Sequence, residues 1–193
     1  MNRSHSRRTL RAVVVLLALT ACRSAGGHRT YQDSNMDFGA IHTVAVLPFT
    51  NLSRESTGAD RVREVFSNML LSTGAVYVLP PGEVMRGINR VQIVDPRQPS
   101  VEETTKLGAL LKADAVIRGV VREYGEVRSA SAAANVVSIS VEMYETSSGK
   151  VVWAAAATKG GIGMSDRLLG SGGAPMNEVT ERAVDDLLNK LFR

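Results

Sequence analysis

Three consecutive strand patterns constrain the fold more than any other feature of the chain. They cover residues 115–124, 135–145 and 151–158, and residues 146–150 form a short polar turn that contains Gly149. In the middle strand apolar and mostly polar side chains alternate, and this period of two places them on opposite faces of a sheet. The alternating residues are Val137, Ile139, Val141 and Met143 on one side, and Ser138, Ser140, Glu142 and Tyr144 on the other. The pattern predicts an antiparallel meander.

Strand and helix patterns alternate in the chain before the meander. Two strands are predicted at residues 41–49 and 75–79. Apolar residues at helical spacing predict helices over 58–72, 83–89, 100–111 and 175–192, and Ser100 with Glu103 forms a capping box. Strands joined by helices run parallel. We therefore predict an α+β domain (an α/β sandwich): a mixed sheet of about five strands with helices on its faces, ending in the meander and a C-terminal helix.

The first 21 residues are typical of an export signal. Arginines at the start are followed by an apolar run over 12–19, which is too short to span a bilayer as a helix. Leu19, Thr20, Ala21 and Cys22 resemble the lipobox of bacterial lipoproteins. The resemblance implies that a signal peptidase recognises Leu19, Thr20 and Ala21, and that Cys22 becomes an acylated, palmitate-bearing N-terminus. Cys22 is the only cysteine, and a free or buried thiol is the alternative.

Residues 22–39 are predicted to be the lipidated cysteine and a flexible tether, because they are polar, contain Gly and Ser, and have no apolar period. One domain follows over 40–193. Arg23 stands where an Asp would resemble the inner-membrane retention signal. We therefore expect anchoring in the outer membrane, with the domain facing the periplasm. The pair Arg7 and Arg8 leaves the export route, general secretion or twin-arginine, open.

The basic charge of the chain comes from its export signal. Of 23 basic residues, four precede Cys22, whereas no acidic residue does, so the remaining chain carries 19 of each. A protein that binds nucleic acid needs a basic surface. We expect no nucleic-acid partner.

Three stretches carry a resemblance to a known family. Residues 44–53 resemble the opening of the TolB amino-terminal domain fold, and residues 113–121 and 141–153 resemble matching stretches of the curli secretion lipoprotein CsgG. The cell-wall synthase activator LpoB shares that fold and the lipid anchor. The resemblance to this CsgG/LpoB-like lipoprotein family covers about residues 41–192. It implies the fold more strongly than the task, because one fold hosts many tasks.

Side chains that carry chemistry are sparse. The histidines are His5, His28 and His42, and none has a metal-ligand spacing to another histidine or cysteine. The Gly-rich segment over 160–174 lacks a Gly-Lys-Ser/Thr sequence, so it is interpreted as a mobile loop or a segment that binds a partner. The adjacent carboxylates Glu102/Glu103 and Asp185/Asp186 are interpreted as solvated, and Trp153 as packing. We expect no catalytic residue, no metal and no cofactor.

The sequence thus favours a non-enzymatic, lipid-anchored envelope protein. Its partners would be the membrane, through the lipid on Cys22, and envelope proteins, with a homo-oligomer left open. It would act as a tethered protein-binding or scaffold domain in secretion, surface-structure or transport assembly, without transmembrane hairpins of its own. An LpoB-like activator of a penicillin-binding protein is the alternative, and a nucleotide-binding or hydrolytic enzyme is a weaker one.

Overall fold

The computed structural model describes residues 30–129, 132–161 and 173–192. Seven strands, four α-helices and one turn of 3-10 helix at Phe38–Ala40 make up this part of the chain. The strands are β1 (Thr30–Gln32), β2 (Thr43–Val46), β3 (Thr50–Asn51), β4 (Tyr77–Val78), β5 (Ala115–Ser129), β6 (Ala132–Glu145) and β7 (Val151–Gly160). The helices are α1 (Gly58–Ser72), α2 (Pro81–Val91), α3 (Val101–Leu111) and α4 (Met176–Leu191).

All strands belong to one mixed sheet in the order β1-β7-β6-β5-β2-β4, with β3 also paired to β5. Strands β4, β2 and β5 run parallel, and β5, β6 and β7 form the predicted antiparallel meander. The predicted α+β fold class is confirmed. The sheet has seven strands rather than about five, because β1 lies in the predicted tether and β3 lies beyond the end of the first predicted strand.

The predicted tether is wrong from Thr30 onward. Strand β1 pairs antiparallel with β7, and the main-chain N–H of Asp33 donates to the carbonyl oxygen of Val152 at 2.8 Å. Met36 and Phe38 then pack against the core. Strand β7 would otherwise present an unpaired edge, and two apolar side chains are enough to hold a polar segment beside it. The domain therefore begins by residue 30 and not at residue 40.

Helices cover both faces of the sheet, as predicted, but unequally. On the first face, α1 and α4 pack over β5, β6 and β7, where the buried cluster includes Phe66, Ile139, Trp153 and Leu187. On the second face, α2 and α3 bury a smaller cluster with β2 and the start of β5. That smaller cluster includes no residue of β6 or β7. The second face of the meander is therefore open among the described residues.

The helix boundaries follow the capping signals in the sequence. Ser100 Oγ accepts a hydrogen bond from the N–H of Glu103, and the Glu103 carboxylate accepts one from the N–H of Ser100 at 2.7 Å, so the predicted capping box is confirmed. Leu107 is fully buried, whereas Leu110 is 38% exposed. Leu110 lies on the flank of α3 because the helix presents Leu107 and Gly108 to its neighbours.

No helix in the described ranges is both long and apolar enough to cross a membrane.

Candidate interaction surfaces

The residues of the predicted lipid site lie outside the described ranges. Leu19, Thr20, Ala21 and Cys22 precede residue 30, so their roles stay predictions. Most of the Gly-rich segment, residues 162–172, also lies outside.

His42 has no catalytic neighbourhood. It is exposed, and its main-chain N–H donates to the Asp114 carboxylate at 2.9 Å, beside the N–H of Thr43 at 2.8 Å. Asp114 therefore ties the start of β2 to the start of β5, which is a structural role. The described residues contain no cluster of three or more His, Cys, Asp or Glu side chains that could hold a metal ion.

One carboxylate of each adjacent pair, Glu102 and Asp186, forms an ion pair. Glu102 pairs with Lys106 on the exposed side of α3, where a hydrogen bond from the lysine lowers the pKa of Glu102. Asp186 on α4 is less solvated than the sequence suggested. It contacts Lys190 at 2.6 Å and Lys159 of β7 at 3.1 Å. Burial alone would raise the pKa of Asp186, but the two lysines outweigh it, so the pKa lies below the usual value. This cluster fastens α4 to the sheet.

Two aromatic side chains of the meander, Trp153 and Tyr144, have different environments. Trp153 is fully buried, which confirms its interpretation as packing. On the open face, the Arg118 guanidinium lies 4.5 Å from the centre of the Tyr144 ring and donates to the Glu142 carboxylate at 2.8 Å. The Tyr144 hydroxyl donates to the same carboxylate at 2.7 Å. Burial, with this hydrogen bond, raises the pKa of Tyr144 to about 12. All three groups satisfy one another, so they leave no reactive side chain.

The hairpin of β5 and β6 extends beyond the body of the sheet. Pairing of β3 with β5 ends at Val121, and pairing of β7 with β6 ends at Val136, yet β5 and β6 stay paired to Ser129 and Ala132. We call the projecting part, residues 126–128 with 133–135, the arm. The sequence had predicted that the first strand ends at residue 124 and that the next begins at residue 135, so both strands extend farther than predicted.

A crevice of about 620 Å³ separates the arm from the loop between β3 and α1. Leu52, 64% exposed, and Val127, 47% exposed, form its apolar part. Charged side chains of both signs surround them: Arg54, Glu55, Arg122, Glu123, Glu126 and Arg128. Beyond Val121, the outer edge of β5 has no partner strand among the described residues. An unpaired strand edge offers N–H and C=O groups to another chain.

A second groove, of about 410 Å³, lies between α1 and the edge strand β4. We call it the edge groove, and Leu71, Tyr77 and Pro80 form its apolar wall. Tyr77 and Leu79 donate their N–H groups to β2, at 2.7 and 2.9 Å. The backbone N–H and C=O groups of successive residues in a strand point to opposite sides, so those of Val78, between Tyr77 and Leu79, point away from the sheet.

Arg63 of α1 lines the same groove. Its Nε and Nη2 atoms are buried and have no hydrogen-bond partner among the described residues. Burial lowers the pKa of Arg63, and the neighbouring Asp60 opposes that effect. Buried polar groups are nearly always hydrogen-bonded in folded proteins. These two nitrogens are therefore an exception within the described part of the chain.

With this geometry in view, the fold resembles that of two kinds of solved protein. The PelC dodecamer from Paraburkholderia phytofirmans aligns with a TM-score of 0.57 and 17% identity, covering 86% of this chain and 98% of that chain. Lipoprotein GNA1162 from Neisseria meningitidis aligns with a TM-score of 0.55 and 19% identity, covering 78% and 98%. No family model matches the sequence, and no curated protein is similar to it. Similarity at this identity establishes the fold.

Sequence reasoning missed both surfaces for different reasons. The arm had a short signal, because Glu126, Val127 and Arg128 continue the alternation of polar and apolar residues beyond the predicted end of the strand. The edge groove had none, because it joins one side of α1 to a strand of two residues.

Proposed function

We propose that the protein is a non-enzymatic scaffold of the bacterial envelope, anchored in the outer membrane through a lipid on Cys22 and facing the periplasm. It acts through contacts with other proteins, including copies of itself. The observation that carries the proposal is the arm, where β5 continues beyond its last parallel partner and its outer edge is unpaired among the described residues. Unpaired edges are normally covered or shortened in proteins that stay single.

Two further observations support this function. The lipobox-like sequence ends at the only cysteine, and the chain after it is nearly neutral. The fold is similar to that of PelC, which is a dodecamer, and to that of GNA1162, which is a lipoprotein. A closed ring of identical chains is therefore the assembly that we propose.

The test expresses the full chain, Cys22→Ser and the matched control Ser24→Ala in a bacterium with two membranes. The full chain and the control are expected in the outer-membrane fraction with incorporated labelled palmitate. Cys22→Ser is expected to lack the label and to be absent from that fraction. Light scattering of the gently extracted protein, with the detergent mass subtracted, should give a multiple of the single-chain mass.

Label in Cys22→Ser would contradict the lipid site, and a single-chain mass would contradict the ring. A single chain that stimulates a purified cell-wall synthase would replace the scaffold proposal with the synthase-activator alternative.

A further inference from the structure

Strand β1 leaves only a short length of chain between Cys22 and the folded domain. Seven residues, 23–29, join Cys22 to Thr30, which is already paired in the sheet. We call these seven residues the linker. Its peptide units span at most about 26–29 Å, whatever conformation they take. In the proposed function the lipid on Cys22 lies in the membrane, so the membrane surface lies within about 29 Å of Thr30.

The pairing of β1 also fixes the direction from which the chain enters the domain. From Gln32 back to Thr30, the residues of β1 lie opposite those of β7 from Trp153 on to Ala155. The chain before Thr30 therefore approaches from the end of β7 at Gly160, which lies beside the start of the arm. We call this end of the domain, with the arm and the loop between β3 and α1, the arm end.

The arm extends about as far as the linker can reach. Five steps along β7 lead from Ala155, opposite Thr30, to Gly160, and four more along β6 lead from Val136 to Ala132. At about 3.4 Å per residue these steps cover about 31 Å. The fully extended linker covers about 29 Å. A membrane on this side of the domain therefore meets the arm.

The opposite end of the domain is harder for the same chain to reach. A reversal of direction between Cys22 and Thr30 uses a turn of about four residues. The residues that remain extend about 14 Å, which only equals the distance from Ala155 back to the start of β7 at Val151. The turn between β6 and β7 lies beyond that point. The length and direction of the chain thus favour the arm end as the side that faces the membrane.

The side chains of the arm end suit a phospholipid surface. Leu52 and Val127 are exposed apolar side chains that line the crevice there. Arg54 and Arg122 line the same crevice, and neither forms an ion pair with another described residue. Guanidinium groups bind phosphate groups well. Apolar side chains beside arginines can therefore contact the boundary between acyl chains and headgroups.

This contact is weak by itself, and the lipid on Cys22 makes it sufficient. The crevice carries as many acidic as basic side chains, so no net charge draws the domain to the membrane. Two apolar side chains bury little area. A short linker, however, raises the effective concentration of a second contact to the millimolar range. Stable attachment to a membrane generally combines two such signals.

A lipid contact at the arm end leaves the edge of β5 free. The backbone N–H and C=O groups of a strand point sideways in the plane of the sheet, whereas the arm end points along the strands. A neighbouring copy can therefore pair with this edge while the arm end rests on the membrane.

We infer that the arm end rests on the phospholipid surface that holds Cys22, with Leu52 and Val127 in contact with lipid. The inference rests on the lipid anchor of the proposed function and adds to it the side of the domain that faces the membrane.

The test uses the full lipidated chain, in which Cys22 is blocked, on vesicles of phosphatidylethanolamine and phosphatidylglycerol. Leu52→Cys and Val127→Cys each provide one free thiol for an environment-sensitive fluorophore. Val101→Cys is the matched control, because Val101 is exposed and lies against Gly149 of the turn at the opposite end. Lipids with a nitroxide on the headgroup should quench the labels at positions 52 and 127, and the emission of these labels should shift to the blue. The label at position 101 should show neither change.

Three results would overturn the inference. Quenching at position 101, alone or with the other two, would mean that the arm end is not the side that faces the membrane. A blue shift without quenching at positions 52 and 127 would mean that protein, and not lipid, covers the crevice. No quenching at any position, on a chain that stays on the vesicles, would mean that the domain stands off the surface.

Failure of the lipid anchor would look different. The unchanged chain would leave the vesicles, or its Cys22 thiol would take the fluorophore. Either result would contradict the proposed function itself, whereas the three results above leave the anchor intact.

A second variant tests the lipid contact at the arm directly. Val127→Glu places a carboxylate against anionic phosphatidylglycerol, and like charges repel, so it should reduce the quenching of a label at position 52. Val101→Glu is the matched control and should leave that quenching unchanged. Equal quenching in the two variants would contradict a lipid contact at Val127.

Discussion

Gly119 of β5 lies directly under the ring of Phe49, and this contact gives the sharpest test of the fold. A β-carbon at Gly119 would stand 2.6–2.7 Å from three carbons of that ring. Phe49 is 2% exposed and packs on Phe66, with ring centres 5.9 Å apart. The ring therefore has no room to move away, and Gly119→Ala overpacks the core.

The expected size follows from two opposing effects. Overpacking a well-filled core costs about 1–3 kcal/mol, whereas alanine gains about 0.5–1 kcal/mol over glycine in a strand. Gly119→Ala should therefore lower the free energy of unfolding by about 1–2 kcal/mol. Gly82→Ala is the matched control, because its β-carbon would meet only the end of the Arg86 side chain, at 3.7 Å. This control should be neutral or stabilising.

The assay is equilibrium unfolding in urea, with Cys22→Ser in every variant so that no lipid contributes. Phe49→Leu opens space above Gly119, so Gly119→Ala should cost at least about 0.5 kcal/mol less in that background. Equal costs in both backgrounds, or a Gly119→Ala variant as stable as its parent, would refute the contact.

Three other predictions concern single side chains. Tyr144 should ionise near pH 12, because burial and its hydrogen bond to Glu142 raise its pKa. The measurement is the alkaline absorbance titration of the parent minus that of Tyr144→Phe, and its midpoint should lie near pH 12. A midpoint near 10, the ordinary tyrosine value, would contradict this environment of the side chain. Asp186→Asn should lower the free energy of unfolding by about 1 kcal/mol at pH 7. The folded-state pKa of Asp186 is lowered, so its stabilisation is complete above the unfolded-state pKa of about 4. The stabilisation disappears as the pH falls through the folded-state pKa. An effect of Asp186→Asn on the free energy of unfolding that is independent of pH would contradict this. Lys112 ends α3 with a φ of 53°, a left-handed conformation that favours glycine. Lys112→Gly should therefore raise the free energy of unfolding by about 0.5–1 kcal/mol, which a higher midpoint of thermal unfolding would report. A lower midpoint would contradict this prediction.

Local patterns predicted the elements that depend on local physics. The alternation over residues 137–144 marked β6 because a half-buried strand exposes every second residue. Helix α1 has the predicted bounds because its apolar stripe is continuous and Gly74, with a φ of 67°, follows its end. The paired carboxylates were less predictable: the ion pair of Glu102 is local, whereas Lys159 reaches Asp186 from another element.

The sequence by itself therefore determined the fold class, the meander, the four helices and the expectation of a lipid on Cys22. Only the tertiary structure decided that residues 30–32 join the sheet, because the free edge of β7, and not their own composition, holds them there. It also decided where the arm leaves the sheet, since a strand projects where its neighbours end. The lack of hydrogen-bond partners for Arg63 Nε and Nη2 among the described residues depends on the packing of α1 beside β4, and side-chain spacing along one chain carries no information about that packing.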